Sequence, residues 1–409
     1  MQEKQGYNSL MESPSAGSIP PMTSTLIPFN KPYLTGQELN YIAEAHGRLQ
    51  LAGDGHFTKK CSQWLESRTK AQKALITHSC TAALEMCAIL IDIQPGDEVI
   101  LPSYTFVSTA NAFALRGAQI VFADIDPSTL NITPEEVTRL VTPKTKAVVI
   151  VHYAGVSCEI DKISTICKHN KIFLIEDAAQ AILAFNGDRH LGSIGDFGCL
   201  SFHETKNIIS GEGGALLINN SDFIEKAEII REKGTNRTKF FRGEVDKYSW
   251  VELGSSFLPG EITAAFLWAQ LEKATAIIDQ RVSIWNQYNE LLAEQCEKLG
   301  VKTPTLPDQC RHNAHIYYLV LPSLNSRSEF IQRMKSLNIH CVFHYVPLHD
   351  SEFTRLKGYA KTRLPVTEEI SERLVRLPLW NGMDKSHVER VSSCALDVIR
   401  EINSLQALD

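Results

Sequence analysis

The stretch from about residue 73 to residue 219 alternates short apolar runs with segments of helical periodicity. Seven runs are candidate strands: KALITH (73–78), DEVILPS (97–103), AQIVFADI (118–125), KAVVIVHY (146–153), IFLIED (172–177), GCLSFH (198–203) and GALLIN (214–219). Nearly continuous apolar strands separated by helices are typical of a mostly parallel sheet covered on both faces. The pattern therefore predicts an α/β fold, in which ligands bind at the carboxyl ends of the strands.

The rest of the chain predicts a second, smaller unit. Residues 262–299 have apolar positions at helical spacing, which indicates one long helix or two successive helices. Further strand and helix patterns follow in HIYYLVLP (315–322), SEFIQRMKSLNI (328–339), HCVFHYVP (340–347) and the last 25 or so residues. At 409 residues the chain exceeds one average domain. We expect a tail at 1–25, a large domain at 26–275 and a small α+β C-terminal domain at 276–409.

Composition excludes several classes of protein. The net charge is −6, and Lys and Arg are scattered, so we expect neither nucleic acid nor an anionic membrane as a partner. The apolar runs fall short of the roughly 20 residues that a membrane span needs, and the N-terminus lacks a signal-peptide pattern. Ten cysteines without a CxxC pair indicate free thiols in a reducing compartment. The composition therefore predicts a cytoplasmic protein.

Polar residues cluster where the candidate strands end. The segments are THSCTAA after the first strand, SYTF after the second, EDAAQ after the fifth and HETK after the sixth. Ser79, Cys80 and Thr81 lead into an Ala-rich helix, whose N-terminus can bind a phosphate. Taken alone, this is more often an ordinary Ser or Thr helix cap. The other strand ends decide between these interpretations.

Asp177 and Lys206 follow the fifth and sixth strands. A carboxylate after a buried strand prefers a cationic partner, such as a protonated pyridine nitrogen. A desolvated lysine amine can form a Schiff base with an aldehyde. For either residue alone, a structural ion pair is the more frequent role. The ordered set of a phosphate site, an acid and an amine predicts a site for pyridoxal 5′-phosphate (PLP).

These residues lie in segments that resemble the DegT/DnrJ/EryC1/StrS family of PLP-dependent sugar aminotransferases. The similar segments include LAGDGHFTKKCSQWLE, HSCTAALEMCAILIDIQPGDEVILPSYTFVSTANAFALRGA, VHYAGV, SFHETKN, IREKGTNR, VDKYSW and LWAQLE. The resemblance runs from IPFNKPYLTGQEL (27–39) to near the C-terminus. It implies the PLP-dependent aminotransferase fold type I, and a homodimer whose active sites lie at the subunit interface.

The resemblance also assigns roles to individual residues. Lys206 is the Schiff-base lysine and proton carrier, and Asp177 pairs with the pyridine nitrogen. The other cofactor contacts are Thr81, Ala82 and Ser201 at the phosphate, Gln180 near the 3-oxygen of the ring, and Phe106 against the ring face. Ser256 stands where many relatives have an Asn that reaches the phosphate of the neighbouring subunit.

Substrate contacts are predicted in two segments. FRGEVDKYSW (241–250) offers Lys247 and Tyr248, a combination equally typical of a solvated loop. VFHYVPLH (342–349) offers His344, Tyr345 and His349, and His203 lies beside Lys206. HNAH (312–315) and FHYVPLH (343–349) could also supply metal ligands, but because no Cys or carboxylate joins them at a recognised spacing, we expect no metal site.

The reaction that the resemblance implies is transamination of a dTDP-linked 4-keto-6-deoxyhexose with L-glutamate. The products would be dTDP-4-amino-4,6-dideoxy-D-galactose, a precursor of lipopolysaccharide or another surface polysaccharide, and 2-oxoglutarate. Three alternatives remain: the gluco epimer as product, a PLP-dependent sugar dehydratase, and a binding module without catalysis. In the dehydratases a histidine replaces the Schiff-base lysine, so Lys206 argues against that alternative.

Overall fold

The computed structural model describes residues 25–359 and 362–406. All but the last residue of the predicted tail at 1–25 therefore lie outside the described residues. The strands are β1 Lys73–Thr77, β2 Glu98–Pro102, β3 Gln119–Ala123, β4 Thr145–Val151, β5 Phe173–Asp177, β6 Phe185–Asn186, β7 Arg189–His190, β8 Phe197–Ser201, β9 Gly214–Ile218, β10 Cys310–Arg311, β11 Tyr317–Val320 and β12 Leu374–Leu377.

Helices connect most of these strands. They are α1 Glu38–Gly47, α2 His56–Thr69, α3 Cys80–Leu90, α4 Val107–Ala114, α5 Pro134–Leu140, α6 Ile160–Asn170, α7 Ile224–Arg231, α8 Arg237–Phe241, α9 Glu261–Glu272, α10 Ala274–Lys298, α11 Leu324–Ser336, α12 Glu352–Lys357, α13 Pro365–Arg373 and α14 Lys385–Gln406. None of the helices in the described part of the chain is long and apolar enough to cross a membrane.

The seven predicted strands form one sheet in the order β1-β9-β8-β5-β4-β2-β3. The pairs from β8 to β3 are parallel, and β9 alone runs antiparallel to its neighbours β8 and β1. The other six strands therefore end at the same edge, and the predicted mostly parallel sheet is confirmed. This edge receives the polar segments that follow β1, β2, β5 and β8.

Helices bury both faces of this sheet, as the apolar strands predict. Val148 and Val149 of β4 are both fully buried, yet they pack in different clusters because successive strand residues point to opposite faces. Helix α3 packs in the same cluster as Val149, and α5 and α6 pack with Val148. Helices α2 and α9 cover the sheet near β1 and β9.

A second hydrophobic core forms from the C-terminal part of the chain. It contains residues of α10, α11, α14, β11 and β12, together with Ile27 near the start of the described chain. The helical pattern at 262–299 forms two helices, α9 and α10. Ile277 of α10 packs with the sheet, and Ile284 packs in the second core. Helix α10 therefore joins the two cores, and the boundary predicted at 275/276 falls within it.

The segment 340–347 crosses the edge of the second core as irregular chain. Its backbone pairs with the small sheet at a single bridge, between Val342 and Arg376 of β12. Irregular backbone here carries His344 and Tyr345 across the carboxyl edge of the large sheet, where both line a cavity.

Candidate active site

A cavity of about 590 Å³ lies at the carboxyl edge of the sheet. Its wall includes residues from the ends of β1, β5 and β8, from α10 and from β12 of the second core. The volume is in the range of small-molecule binding sites. Asp177, Lys206 and Thr81, which the sequence predicts as parts of one site, all line it.

Strand geometry separates the two adjacent acids of β5. Glu176 and Asp177 point to opposite sides because side chains alternate along a strand. Glu176 is completely buried away from the cavity, where it binds His152 Nε2 at 2.8 Å and accepts the N–H groups of Gly192, Ile194 and Gly195. Burial alone would raise the pKa of Glu176, but the hydrogen bond and charge of His152 and the backbone donors lower it. Glu176 is therefore a structural carboxylate.

Asp177 faces the cavity and remains nearly buried. Thr109 Oγ1 donates to Oδ2 at 2.7 Å, and the Ala179 N–H donates to Oδ1 at 3.1 Å. Burial raises the pKa of Asp177, although these hydrogen bonds and the charge of Lys206 oppose the shift. A cation placed beside this carboxylate would offset its desolvation.

Lys206 lies in a turn shortly after β8, where its backbone N–H donates to the His203 carbonyl at 2.9 Å. Burial of the amine lowers the pKa of Lys206, and the positive charge of Arg376 adds to this effect, whereas Cys80 and Asp177 oppose it. The next residue, Asn207, donates to the Asn313 carbonyl at 2.8 Å. This bond ties the lysine turn to the chain that leads into β11.

The N-terminus of α3 forms another wall of the cavity. Ser79 caps the helix by accepting the Ala82 N–H at 3.0 Å, and Thr81 Oγ1 shares a 2.7 Å hydrogen bond with Ser108 Oγ. Gly214 lies against this turn, since a Cβ at that position would be 2.4 Å from Cys80 N. The close approach leaves the helix N-terminus and the neighbouring hydroxyls on the cavity surface, as a phosphate site requires.

Aromatic and amide side chains form a further part of the wall. Gln180 donates to the Tyr345 hydroxyl at 2.8 Å and accepts the Ala154 N–H at 2.7 Å. The His344 ring stacks on Tyr345 with centroids 3.7 Å apart. Burial holds the pKa of His344 well below its usual value, so the ring is neutral at physiological pH. Phe106 is 58% exposed on the cavity wall, with its ring free to contact a ligand.

The structure brings most of the predicted residues to this cavity. Those on its wall are Thr81, Phe106, Asp177, Gln180, Ser201, His203, Lys206, His344 and Tyr345. Ala82 is buried behind the wall, and its N–H is occupied by Ser79 instead of facing the cavity. Ala82 lies in the first turn of α3, and the contact with the cofactor phosphate that the resemblance implies for it stays a prediction.

Four other predicted residues lie away from the cavity wall. Lys247, Tyr248 and Ser256 are exposed on the segment between α8 and α9. His349 shares a 2.7 Å hydrogen bond with Ser103 Oγ and lies 3.4 Å from Glu368. Within one subunit, His349 therefore holds the 342–349 segment against the end of β2 instead of facing the cavity.

Sequence reasoning did not place Arg281, Arg376 and His315 on the wall, and it weighed His315 only as a possible metal ligand. The sequence contains a signal for both arginines, because each stands at a position where the surrounding pattern is apolar. Arg376 interrupts the apolar run LVRLPLW, and Arg281 occupies an apolar-face position of α10 between Ile277 and Ile284. A charged residue at a core position often marks a functional site.

The donor set suits PLP. Its phosphate matches the N-terminus of α3 with Thr81 and Ser201, its cationic ring nitrogen matches the buried Asp177, and its aldehyde matches the desolvated amine of Lys206. Across residues 25–359 and 362–406, no group of three or more His, Cys, Asp or Glu side chains is arranged to hold a metal ion.

Comparisons with known proteins agree with this site. Residues 32–395 match the DegT/DnrJ/EryC1/StrS aminotransferase family. The spore coat polysaccharide biosynthesis protein SpsC of Bacillus subtilis is 31% identical over 91% of this chain and 97% of its own. The dTDP-4-dehydro-2,3,6-trideoxy-D-glucose 4-aminotransferase of Saccharopolyspora spinosa is 31% identical over 90% and 95%.

Solved structures share the whole architecture. The aminotransferase TlmJ from Streptoalloteichus hindustanus superposes with a TM-score of 0.84 at 27% identity, over 92% of this chain and all of that chain. The predicted aminotransferase fold is thereby confirmed. With the family match over most of its length, the chain belongs to the DegT/DnrJ/EryC1/StrS aminotransferase family, the PLP-dependent sugar aminotransferases that its sequence resembles.

Proposed function

We propose that this enzyme transfers the amino group of L-glutamate to the 4-keto carbon of a dTDP-linked 4-keto-6-deoxyhexose. The products are dTDP-4-amino-4,6-dideoxy-D-galactose and 2-oxoglutarate. The observation that carries the proposal is the convergence of Asp177 and Lys206 on one cavity beside the N-terminus of α3. The name of the Saccharopolyspora spinosa relative, a 4-aminotransferase of a dTDP-linked keto sugar, supports this substrate class.

Different residues of the chain would contact different parts of the cofactor. Thr81 and Ser201 would bind the phosphate, Gln180 would lie at the ring oxygen, and Phe106 would cover one ring face. PLP supplies an aldehyde that bonds to amines and a protonated ring that accepts electrons from the carbon bearing the amine. Asp177 would keep the proton on the ring nitrogen, and that cation would in turn stabilise the buried carboxylate.

Lys206 Nζ is the proton carrier in this proposal. Because burial lowers its pKa, the amine loses its proton more readily than an exposed lysine does. It can therefore accept a proton from the α-carbon of glutamate and deliver one to C4 of the sugar. The face of the sugar that Nζ reaches decides between the galacto and gluco products.

We further propose that His203, His344 and Tyr345 contact the substrate in the cavity. Lys247, Tyr248 and Ser256 are exposed, so they are available to reach the active site of a second subunit in a homodimer. A role for His349 would be indirect, through the position of the segment that carries Tyr345.

We also propose that residues 26–275 and 276–409 act as the large and small domains. The ten free thiols support a cytoplasmic location.

The test is incubation of the PLP-loaded enzyme with L-glutamate and a panel of nucleotide-linked 4-keto sugars, followed by NMR of the product. We expect an axial amino group at C4, as in the galacto configuration, and formation of 2-oxoglutarate. Lys206→Ala should abolish transfer, whereas Lys168→Ala, an exposed lysine of α6, should retain it. An equatorial amine would indicate the gluco epimer, and a deoxygenated product without nitrogen would indicate a dehydratase.

A further inference from the structure

Two arginines of the second core face the cavity, Arg281 from α10 and Arg376 from β12. Neither forms an ion pair within the part of the chain that the structure describes. Burial lowers the pKa of both groups, that of Arg281 to about 9. A desolvated guanidinium without a carboxylate is unfavourable unless a ligand supplies the anion.

The two arginines differ in how far their hydrogen bonds are satisfied. Arg281 donates through Nε to the Ala314 carbonyl at 3.1 Å and through Nη2 to the His315 carbonyl at 2.8 Å. These bonds give Arg281 a role in holding the chain before β11. Arg376 donates through Nη2 to the Phe343 carbonyl at 2.9 Å, but its buried Nε has no partner among the described residues.

Among the described residues, no carboxylate forms an ion pair that would compensate the charge of Arg376. The groups that it influences electrostatically include Tyr345, His344, His315 and Lys206, all neutral or cationic. The guanidinium also lies over the Phe29 ring, 4.8 Å from its centroid. The carboxylates on the cavity wall are Asp177, which serves the ring nitrogen, and Glu212, which is 73% exposed near His203. The guanidinium of Arg376 is therefore available to bind an anionic ligand at the cavity wall.

We propose that Arg376 binds the α-carboxylate of the amino donor, an inference that rests on the proposed transaminase function. The donor's carboxylate is bonded to the same carbon whose proton Lys206 removes, so its binding group must lie near Lys206. Arg376 meets this condition, since its side chain and that of Lys206 line the same cavity. The planar guanidinium fork also matches a carboxylate in geometry.

Two other anions fit this position less well. The cofactor phosphate has its own site at the N-terminus of α3, on a different element from Arg376. In a nucleotide-linked 4-keto sugar the diphosphate is attached at C1, across the ring from the reacting C4. A group close to Lys206 is therefore poorly placed for the diphosphate when C4 is at the amine.

The experiment measures the two halves of the reaction separately on the PLP-loaded enzyme. In the first half, the absorbance of the cofactor reports the conversion of PLP to its aminated form by L-glutamate. In the second half, it reports the regeneration of PLP by the keto sugar. For Arg376→Gln we expect the half-saturating glutamate concentration to rise roughly 10- to 100-fold, the loss typical of a charge-assisted bond. The keto-sugar half should change less than about twofold, and Arg376→Lys should recover part of the glutamate affinity.

Calorimetry supplies a readout that is independent of turnover. Glutarate carries two carboxylates and no amine, so it should bind the wild-type enzyme and bind Arg376→Gln at least roughly tenfold more weakly. Glutaramide, its uncharged analogue, should not distinguish the two proteins. Arg327→Gln is the matched control. Arg327 belongs to α11, and its guanidinium lies 5.6 Å from the centroid of the Phe343 ring but does not line the cavity.

Each contrary result has a separate meaning. A loss confined to the keto-sugar half would overturn the inference in favour of the diphosphate. Equal losses in both halves, or unchanged glutamate and glutarate binding, would also overturn it. A wild-type enzyme that binds glutarate through Arg376 but does not convert its cofactor with any amino acid would contradict the proposed function and leave the anion site standing.

Discussion

The two adjacent acids of β5 should have different effects on stability when each is made neutral. Glu176→Gln and Asp177→Asn both replace one carboxylate oxygen by an amide, one residue apart on the same strand. Glu176 is bound by a histidine and three backbone N–H groups, whereas Asp177 faces the cavity and has its pKa raised by burial. The comparison therefore separates a structural carboxylate from one held ready for a ligand.

The magnitude for Glu176→Gln follows from its hydrogen bonds. Oε1 accepts from Ile194 and Gly195, and Oε2 accepts from His152 and Gly192, at 2.6–2.8 Å. A glutamine amide must turn its NH₂ group toward one of these pairs, so two bonds to a charged acceptor are lost, each about 1.5–3 kcal/mol. Easier burial of the neutral amide offsets part of this loss. We expect a net destabilisation of about 3–5 kcal/mol, the range for breaking a buried ion pair.

Asp177→Asn should instead leave the cofactor-free protein as stable as the wild type, within about 1 kcal/mol, or slightly more stable. Asparagine keeps one oxygen to accept the hydrogen bond from Thr109 or from Ala179. The substitution also removes a charge that burial disfavours. The same variant should lose most of its transaminase activity, because the ring nitrogen loses the group that keeps it protonated.

As the pH falls, the stability difference between the wild type and each variant should change in opposite directions for the two variants. The folded protein lowers the pKa of Glu176, so its stabilisation is complete above the ordinary value of 4.5 and is lost as the pH falls through the folded pKa. The disadvantage of Glu176→Gln should therefore shrink below about pH 4.5. The pKa of Asp177 is raised, so the wild type should gain stability relative to Asp177→Asn as the pH falls through that folded value.

The assay is urea unfolding of cofactor-free wild type and both variants, followed by tryptophan fluorescence at pH 7 and at a series of lower pH values. Free energies are compared only where the transitions have the same slope against urea. Equal destabilisation by the two substitutions, or a Glu176→Gln loss that persists unchanged in acid, would refute the reasoning.

Two further predictions concern the phosphate site. Gly214→Ala should lower stability by about 1–3 kcal/mol and weaken PLP binding, because the new Cβ would lie 2.4 Å from Cys80 N, whereas Gly47→Ala has open space and should do neither. Denaturation and PLP titration check both, and normal PLP affinity in Gly214→Ala would contradict the placement of the site. Ser79→Ala should cost about 1 kcal/mol by loss of the α3 cap and should also weaken PLP binding. Ser323→Ala removes the equivalent cap of α11 and should lower stability alone, so equal PLP affinities in the two variants would argue against a phosphate at α3.

The sequence predicted the parts of the site that depend on local pattern. All seven strands of the large sheet were visible as apolar runs, because strands buried on both faces must be apolar throughout. Parallel strands that are joined by helices end at one edge, so residues after those runs share a surface. Asp177, Lys206 and Thr81 were identified in this way, and all three line the cavity.

Local pattern says less where the direction of a group depends on one particular contact. Ala82 lies one residue beyond Thr81, yet its N–H is taken by the Ser79 cap. His349 follows Tyr345 by four residues, but Ser103 draws it away from the cavity wall. Irregular chain carries no periodicity, so the sequence contains no signal for the direction in which such a side chain points.

The sequence by itself determined the order of the strands along the chain and the chemistry at their ends, since both follow from local apolar patterns and neighbouring residue types. Only the tertiary structure decided which groups from distant parts of the chain lie beside the residues at the strand ends. Arg376 is separated from Lys206 by 170 positions, and Thr109 from Asp177 by 68, yet they meet at one cavity. Such meetings depend on how the second core packs across the edge of the sheet, and that packing is set by contacts over the whole chain.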